Sequence, residues 1–162
     1  MTRTLILMRH GKSAYPPGID DHERPLAPRG RREAALAGDW LRATQPPISA
    51  VRCSTATRTR ETLAATAITA PVEFDAGIYE AQPDYLVELV QLTDPALSTL
   101  LVIGHAPGMP WAAWDLAADH DTDDAQQLGR KFPTSALAVL RFDRPWDRVA
   151  PGTGDLAFHI PR

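Results

Sequence analysis

The sequence predicts an α/β protein, specifically a three-layer α/β/α sandwich built on a mostly parallel β-sheet. Strand-like apolar runs alternate with segments of helical periodicity in the order βαβα, and two further strand-like runs follow. The runs at residues 4–8 and 100–103 are almost continuously apolar. Parallel strands that are covered on both faces have this character, so we expect helices on both sides of the sheet.

The composition favours a folded domain and argues against several classes of partner. A chain of 162 residues with 44% hydrophobic residues suits a single domain over residues 1–162, expected to be a monomer. The formal charge of −3 argues against nucleic-acid binding. The single Cys53 excludes an intramolecular disulfide, and no apolar run approaches the roughly 20 residues of a membrane span. We therefore expect a cytoplasmic protein without a membrane partner.

Turn and capping residues set the expected element boundaries. The predicted strands cover residues 4–8, 48–53, 72–74, 100–103, 136–142 and 156–160. The predicted helices cover residues 28–43, 83–92 and 110–118, and one more runs to residue 69 from a cap at Ser54 or Thr55. The acidic residues 119–124 are predicted to form a loop.

Apolar spacing predicts which side of each helix is buried. In the first helix the expected buried stripe consists of Leu36, Ala37, Trp40 and Leu41. In the second it consists of Leu63, Ala64, Ala67 and Ile68. Trp111 and Trp114 are expected to pack a helix, with lining of the pocket as the less favoured alternative. His120 and His159 are expected to lie on the surface or in the sheet without a role.

Three motifs place a basic side chain where a predicted strand ends. They are Arg9-His10-Gly11, the segment from Ser54 to Arg58, and Gly104-His105-Ala106-Pro107. The carboxyl ends of the strands form the ligand crevice of an open α/β sheet. We therefore expect two imidazoles and two guanidiniums to converge there on a phosphoryl group.

The chemistry of each residue type supports this interpretation. A neutral imidazole at position 10 can attack phosphorus and form a covalent intermediate. The planar forks of Arg9 and Arg58 can hold phosphate oxygens, and Arg58 lies near a helix N-terminus that already favours anions. His105 can donate a hydrogen bond as charge redistributes. Taken singly, His10 could be a packing residue, Arg9 part of a surface ion pair, and Arg58 an ordinary exposed helix residue.

These motifs together resemble the histidine phosphatase superfamily, which includes phosphoglycerate mutases and acid phosphatases. The resemblance is carried by Arg9-His10-Gly11, by Ser54, Arg58 and Thr62, and by Gly104-His105 with Pro107. Within the superfamily the chain is similar to the short SixA-type phosphohistidine phosphatases. That closer similarity is carried by Arg9 to Ser13, by Arg24-Pro25-Leu26 with Gly30, and by Pro133 to Ala136.

The resemblance implies a phosphoglycerate mutase-like fold and a metal-free, cofactor-free site. His10 would be the nucleophile that is phosphorylated during turnover, and Arg9, Arg58 and His105 would complete the phosphate pocket. By the same resemblance Arg24 borders the pocket, and Ser13 is a candidate for hydrogen bonding nearby.

The identity of the general acid is left open by the sequence. Glu80 matches the position of the acid in many family members, but it is equally compatible with a solvated turn. Only 24 residues separate Glu80 from His105, so we expect an open site without a capping insertion. The acidic run at residues 20–23 could rim that site, although a solvated loop is the preferred interpretation.

The leading functional hypothesis is a phosphatase that acts through a phosphohistidine intermediate on phosphohistidine of a protein. A broad small-molecule phosphomonoesterase is the first alternative, because it needs the same machinery. A non-catalytic module that binds phosphorylated ligands is the second, and a histidine-rich metal-binding protein is disfavoured by ligand spacing.

Overall fold

The computed structural model describes residues 1–162 and contains one six-stranded sheet. Its strands are β1 (Arg3–Arg9), β2 (Ala50–Ser54), β3 (Val72–Asp75), β4 (Thr99–Gly104), β5 (Leu137–Phe142) and β6 (Asp155–His159). The strand order is β3-β2-β4-β1-β5-β6. Strands β1 to β4 are parallel, whereas β5 and β6 run antiparallel to their neighbours. The predicted α/β class with a mostly parallel sheet is confirmed.

Five helices cover the two faces of the sheet. They are α1 (Pro28–Thr44), α2 (Thr57–Thr66), α3 (Pro83–Gln91), α4 (Gly108–Leu116) and α5 (Asp123–Arg130). Leu5 and Leu7 of β1 pack in a core with α3, α4 and α5, whereas Ile6 and Met8 pack in a second core with α1 and α2. Because successive strand side chains point to opposite faces, the apolar run of β1 supplies both cores. None of the helices has both the length and the apolar composition that crossing a bilayer requires.

The acidic loop predicted at residues 119–124 is partly wrong, because α5 begins within it. The Thr122 side chain accepts a hydrogen bond from the Ala125 amide at 3.1 Å and caps the helix. Asp123 and Asp124 lie in the first turn, where the helix dipole favours negative charge. The helix buries only Ala125 and Leu128, so its apolar pattern was too sparse to predict it.

The buried stripe predicted for α1 is also partly wrong. Leu36 is exposed and Trp40 only half-buried. The buried positions instead centre on Gly38, where a Cβ would lie 2.2 Å from the Thr66 carbonyl oxygen. This close approach of α1 to α2 rotates the buried face of α1 away from its bulkiest side chains.

Helix α2 buries a largely polar face, and of the predicted apolar residues only Leu63 is buried. Thr59, Thr62 and Thr66 are fully buried, whereas Ala64 is exposed. The helix ends early because Ala67 adopts a left-handed conformation with φ of 56°. Thr62 accepts a hydrogen bond from the Gly11 amide in the loop that follows β1, whereas Thr59 and Thr66 bond to the backbone at the two ends of α2 itself.

Candidate active site

His10 lies immediately after β1 with one ring nitrogen already engaged. Its Nδ1 lies 2.7 Å from the Gly11 carbonyl oxygen, which can only accept, so Nδ1 carries the proton. The neutral ring therefore has its lone pair on Nε2. Burial lowers the pKa of His10 to about 4, and the charges of Arg58 and Arg9 add to this effect. The imidazole is thus neutral at physiological pH, as a nucleophile must be.

The backbone around His10 is held from three directions. The His10 amide donates to the Gly104 carbonyl at 3.0 Å, and the Ser135 amide donates to the His10 carbonyl at 3.0 Å. Next to it, the Gly11 amide donates to Thr62 Oγ1 at 2.9 Å. A Cβ at Gly11 would lie 2.8 Å from the Gly30 carbonyl oxygen, so the start of α1 presses directly on this turn. These contacts fix the position of the imidazole.

His105 follows β4 and lies beside His10. The two ring centroids are 5.3 Å apart. The Nε2 of His105 shares a hydrogen bond of 2.8 Å with Ser54 Oγ, at the end of the neighbouring strand β2. Burial, together with the charges of His10 and Arg58, lowers the pKa of His105 to about 3. Both imidazoles are therefore neutral at physiological pH.

Arg9 and Arg58 enter the site with only part of their hydrogen-bonding capacity used. Arg9 Nη1 donates to the Phe132 carbonyl at 2.9 Å, and Arg58 donates to the backbone and side chain of Asp21. The Nε atoms of both guanidiniums are buried and have no partner, and the same is true of His105 Nδ1. Buried polar groups normally have partners, so these three atoms leave hydrogen-bonding capacity unused beside His10 and His105.

Arg24 and Ser13 contact each other, and neither of them lines the cleft that contains His105 and Arg58. Arg24 Nη1 donates to Ser13 Oγ at 2.7 Å, and its Nε donates to Asp21 Oδ1 at 3.0 Å. The guanidinium also lies 4.1 Å over the ring of Tyr15. The positive charge of Arg24 also lowers the pKa of His10, because it disfavours protonation of that ring. Ser13 orients Arg24 in this arrangement.

Glu80 lines a cleft of about 340 Å³ that also contains His105 and Arg58. Its carboxylate makes no hydrogen bond to the protein and is exposed to solvent. Glu80 has a φ of 60°, the left-handed region that side chains rarely adopt. Backbone strain of this kind is often found at functional sites.

Asp21 and Tyr79 join the site although the sequence did not single them out. The Asp21 carboxylate accepts hydrogen bonds from Tyr79, Arg24 and Arg58, and these lower its pKa below the usual range. The Tyr79 ring packs edge-on against His105, with centroids 5.3 Å apart. Asp21 is exposed, as expected for a solvated loop, but its contacts with Arg58 and Tyr79 also agree with the alternative that residues 20–23 rim the site. The only sequence signal was an acidic run, which is typical of any exposed loop.

Comparison with known proteins identifies the family of this site. The model of the histidine phosphatase superfamily, branch 1, matches residues 5–86, which include Arg9, His10 and Arg58. The chain belongs to the histidine phosphatase superfamily. An uncharacterised protein of Mycobacterium tuberculosis is 51% identical over 158 residues, covering 96% of this chain and 100% of that protein. One of Mycobacterium leprae is 44% identical over 161 residues, covering 96% of this chain and 100% of that protein.

Solved structures of the superfamily include two informative neighbours. A protein of Nakamurella multipartitia, provisionally named phosphohistidine phosphatase SixA, superposes with a TM-score of 0.91 at 37% identity. The match covers 99% of this chain and 97% of that one. A protein histidine phosphatase SixA complexed with tungstate shares the fold, with a TM-score of 0.78 at 24% identity over 98% of this chain and 96% of that one. This histidine phosphatase is therefore SixA-like in fold, and the expected phosphoglycerate mutase-like architecture is confirmed.

Proposed function

We propose that this histidine phosphatase removes the phosphoryl group from phosphohistidine on a protein, with His10 as the nucleophile. The observation that carries the proposal is the state of His10: a neutral ring whose Nδ1 proton is held by Gly11 and whose Nε2 lone pair is free. A base that is already deprotonated and already oriented needs no further activation before it attacks phosphorus.

The reaction proceeds in two steps. The Nε2 of His10 attacks phosphorus, and the P–N bond to the substrate imidazole breaks as that ring takes a proton from solvent. Water then attacks the phosphorus held on His10, the P–N bond to the enzyme breaks, and inorganic phosphate leaves with the water oxygen. The lone pair of Nε2 is restored, so the enzyme returns to its starting state.

The buried donors around His10 stabilise the transferred group. Phosphoryl transfer depends on positioning and on stabilising charge at the phosphoryl oxygens. Arg9 and Arg58 supply permanent positive charge close enough to the ring to lower the pKa of His10. The Nε2 of His105 lies 2.8 Å from Ser54 Oγ, and the mechanism requires the tautomer in which Nε2 accepts this hydrogen bond and Nδ1, which has no protein partner, carries the proton. That N–H donates to a phosphoryl oxygen.

The lack of an insertion between β3 and β4 supports a protein substrate. Between these strands the chain contains only a 3₁₀ turn and α3. Without an inserted segment to cap it, the cleft beside His105 can admit a side chain that is presented by another protein. The likeness to the provisionally named SixA of Nakamurella multipartitia also supports this substrate class.

A small-molecule phosphomonoesterase is the second candidate, and Glu80 is the observation that favours it. An alcohol leaving group needs a proton in the transition state, and the Glu80 carboxyl lines the cleft that contains His105. Phosphohistidine needs this help less, because imidazole is the better leaving group. The two functions therefore differ in their dependence on Glu80.

The test compares substrates and a nucleophile variant. The purified protein is assayed on a phosphohistidine peptide, on p-nitrophenyl phosphate and on sugar phosphates, and kcat/KM is compared. We expect the phosphohistidine peptide to be preferred and His10→Ala to abolish turnover of all three. His159→Ala is the matched control, because His159 stacks on Trp40 at 4.2 Å, away from the pocket. Full activity of His10→Ala would exclude the mechanism, and a preference for sugar phosphates would favour the second candidate.

A further inference from the structure

A second concave surface adjoins the phosphate pocket. It is a trough of about 500 Å³ between the start of α4 and the end of α5. Ala106, Pro107 and Trp111 line both this α4–α5 trough and the cleft that contains His105. A ligand that enters the phosphate pocket can therefore extend along the trough without leaving the protein surface.

The floor of the α4–α5 trough is aromatic and firmly packed. Trp114 stacks on His120 with ring centroids 4.0 Å apart, and a Cβ at Gly129 would lie 3.0 Å from the Trp114 ring. Phe132 is buried against Phe158, and its carbonyl oxygen accepts the hydrogen bond from Arg9. The trough floor and the phosphate-binding guanidinium are thus held in one rigid arrangement.

Trp111 separates the trough from the cleft and is unusually exposed. The preferred prediction that it packs a helix is wrong, since 59% of the residue is accessible to solvent, and Trp111 instead lines the cleft that contains His105, as the alternative had it. A large aromatic side chain that is this exposed at the mouth of a site offers contact area at low entropic cost. Exposed tryptophan is also enriched among the residues that dominate binding interfaces.

The charges of the trough are of one sign. Arg130 and Lys131 line it, both are exposed, and neither side chain makes an ion pair or a hydrogen bond to the protein. No acidic side chain lines the trough. The acidic residues of α5 lie at its other end, in the first turn. In a chain with a formal charge of −3, this local excess of positive charge favours an anionic ligand.

We propose that the α4–α5 trough binds an acidic polypeptide segment that flanks the phosphorylated residue of a protein substrate. The segment lies over Trp111 and pairs its carboxylates with Arg130 and Lys131. The proposal rests on the proposed function, because it assigns the rest of the substrate whose phosphoryl group meets His10. It goes beyond that function by stating which proteins are preferred.

The experiment compares three phosphohistidine peptides of equal length with acidic, neutral or basic flanking residues. Two exposed charges contribute modestly, so we expect kcat/KM to be about three- to ten-fold higher for the acidic than for the neutral peptide at low salt. The basic peptide should be the poorest substrate. In the double variant Arg130→Glu with Lys131→Glu the acidic-to-neutral ratio should fall to about one or below.

The matched control reverses the charge of two exposed arginines outside the α4–α5 trough. Arg144 and Arg148 follow β5 at the opposite end of the sheet from the pocket, and reversing both changes the net charge by the same amount. The double variant Arg144→Glu with Arg148→Glu should keep the wild-type ratio. If the trough variant does not fold, the wild-type protein is tested at different salt concentrations instead. Its acidic-to-neutral ratio of kcat/KM should decline between about 50 mM and about 500 mM salt.

Binding measurements keep this inference separable from the proposed function. Anisotropy of the same labelled peptides on the His10→Ala protein reports the trough without turnover. If no peptide is hydrolysed but the acidic one binds more tightly, the proposed function fails and the trough proposal stands. Equal hydrolysis and equal binding of the acidic and neutral peptides, or a preference for the basic one, would overturn the trough proposal.

Discussion

Asp21 holds the guanidinium of Arg58 by two hydrogen bonds, one from Nη2 to its carboxylate at 3.1 Å and one from Nη1 to its carbonyl at 2.7 Å. The carbonyl orients Arg58 without adding a charge. The carboxylate places a negative charge beside a group that we expect to bind phosphate. Asp21 therefore positions Arg58 and at the same time opposes the binding of an anion there.

Removing the Asp21 charge should strengthen anion binding. In Asp21→Asn the amide oxygen can still accept from Arg58, the amide NH2 replaces the oxygen that accepts from Arg24, and the repulsion of a tetrahedral anion is lost. Because the Asp21 side chain is half-exposed, we expect the inhibition constant of tungstate to fall only about two- to five-fold at low salt. Asp20→Asn is the control, since the Asp20 side chain does not contact Arg58. A weaker affinity in Asp21→Asn would show that orientation of Arg58 outweighs the charge.

Thr62 should matter through the turn that carries His10. In Thr62→Val the shape is kept, but the Gly11 amide loses its acceptor in a buried place. An unpaired buried donor costs about 1–3 kcal/mol, so the free energy of unfolding should fall by this amount. We expect kcat to fall as well, because the His10 loop loses an anchor. Thr62→Ser keeps the hydroxyl and should restore both quantities; a Ser variant as impaired as Val would contradict this reason.

Glu80 should separate the two candidate activities. In Glu80→Gln the carboxyl proton is no longer available, and loss of general acid catalysis typically costs on the order of 10²–10⁴ in rate. We expect kcat on a sugar phosphate to fall within that range and kcat on a phosphohistidine peptide to change little. Glu73→Gln, at an exposed strand position, is the control. Equal losses on both substrates would assign Glu80 to both reactions.

The two buried imidazoles should make stability depend on pH. The unfolded chain protonates histidine near pH 6.5, whereas burial lowers the folded pKa values to about 4 for His10 and about 3 for His105. Below about pH 6.5 the unfolded state binds more protons than the folded state. The contribution of the two neutral imidazoles to the free energy of unfolding is therefore complete above that pH and is lost as the pH falls towards 4.

Thermal unfolding measures this dependence. At about pH 5 each histidine should lower the free energy of unfolding by about 1–2 kcal/mol, so Tm falls by several degrees between pH 7 and pH 5. His105→Gln removes one of the two titrating groups and should flatten the decline. A decline that is equally steep in the variant would show that other groups dominate.

The basic residues at the strand ends could be predicted from the sequence, whereas the contacts that position them could not. Arg9-His10-Gly11 and Gly104-His105 follow apolar strands, and parallel strands bring their carboxyl ends together whatever the detailed packing. The buried threonine face of α2 violates the apolar spacing from which buried faces are inferred. Asp21 and Tyr79 are far apart in the chain and come together with Arg58 only through the fold.

The amino-acid sequence by itself determined the sheet, its central strands and the basic residues at their ends, because burial on both faces leaves a continuous apolar signal. Only the tertiary structure decided that Asp21 pairs with Arg58, that Ser54 orients His105, and that Trp111, Arg130 and Lys131 line one trough beside the pocket. These relationships depend on distances between residues remote in the chain, and such distances are set by how helices pack on the sheet rather than by local periodicity.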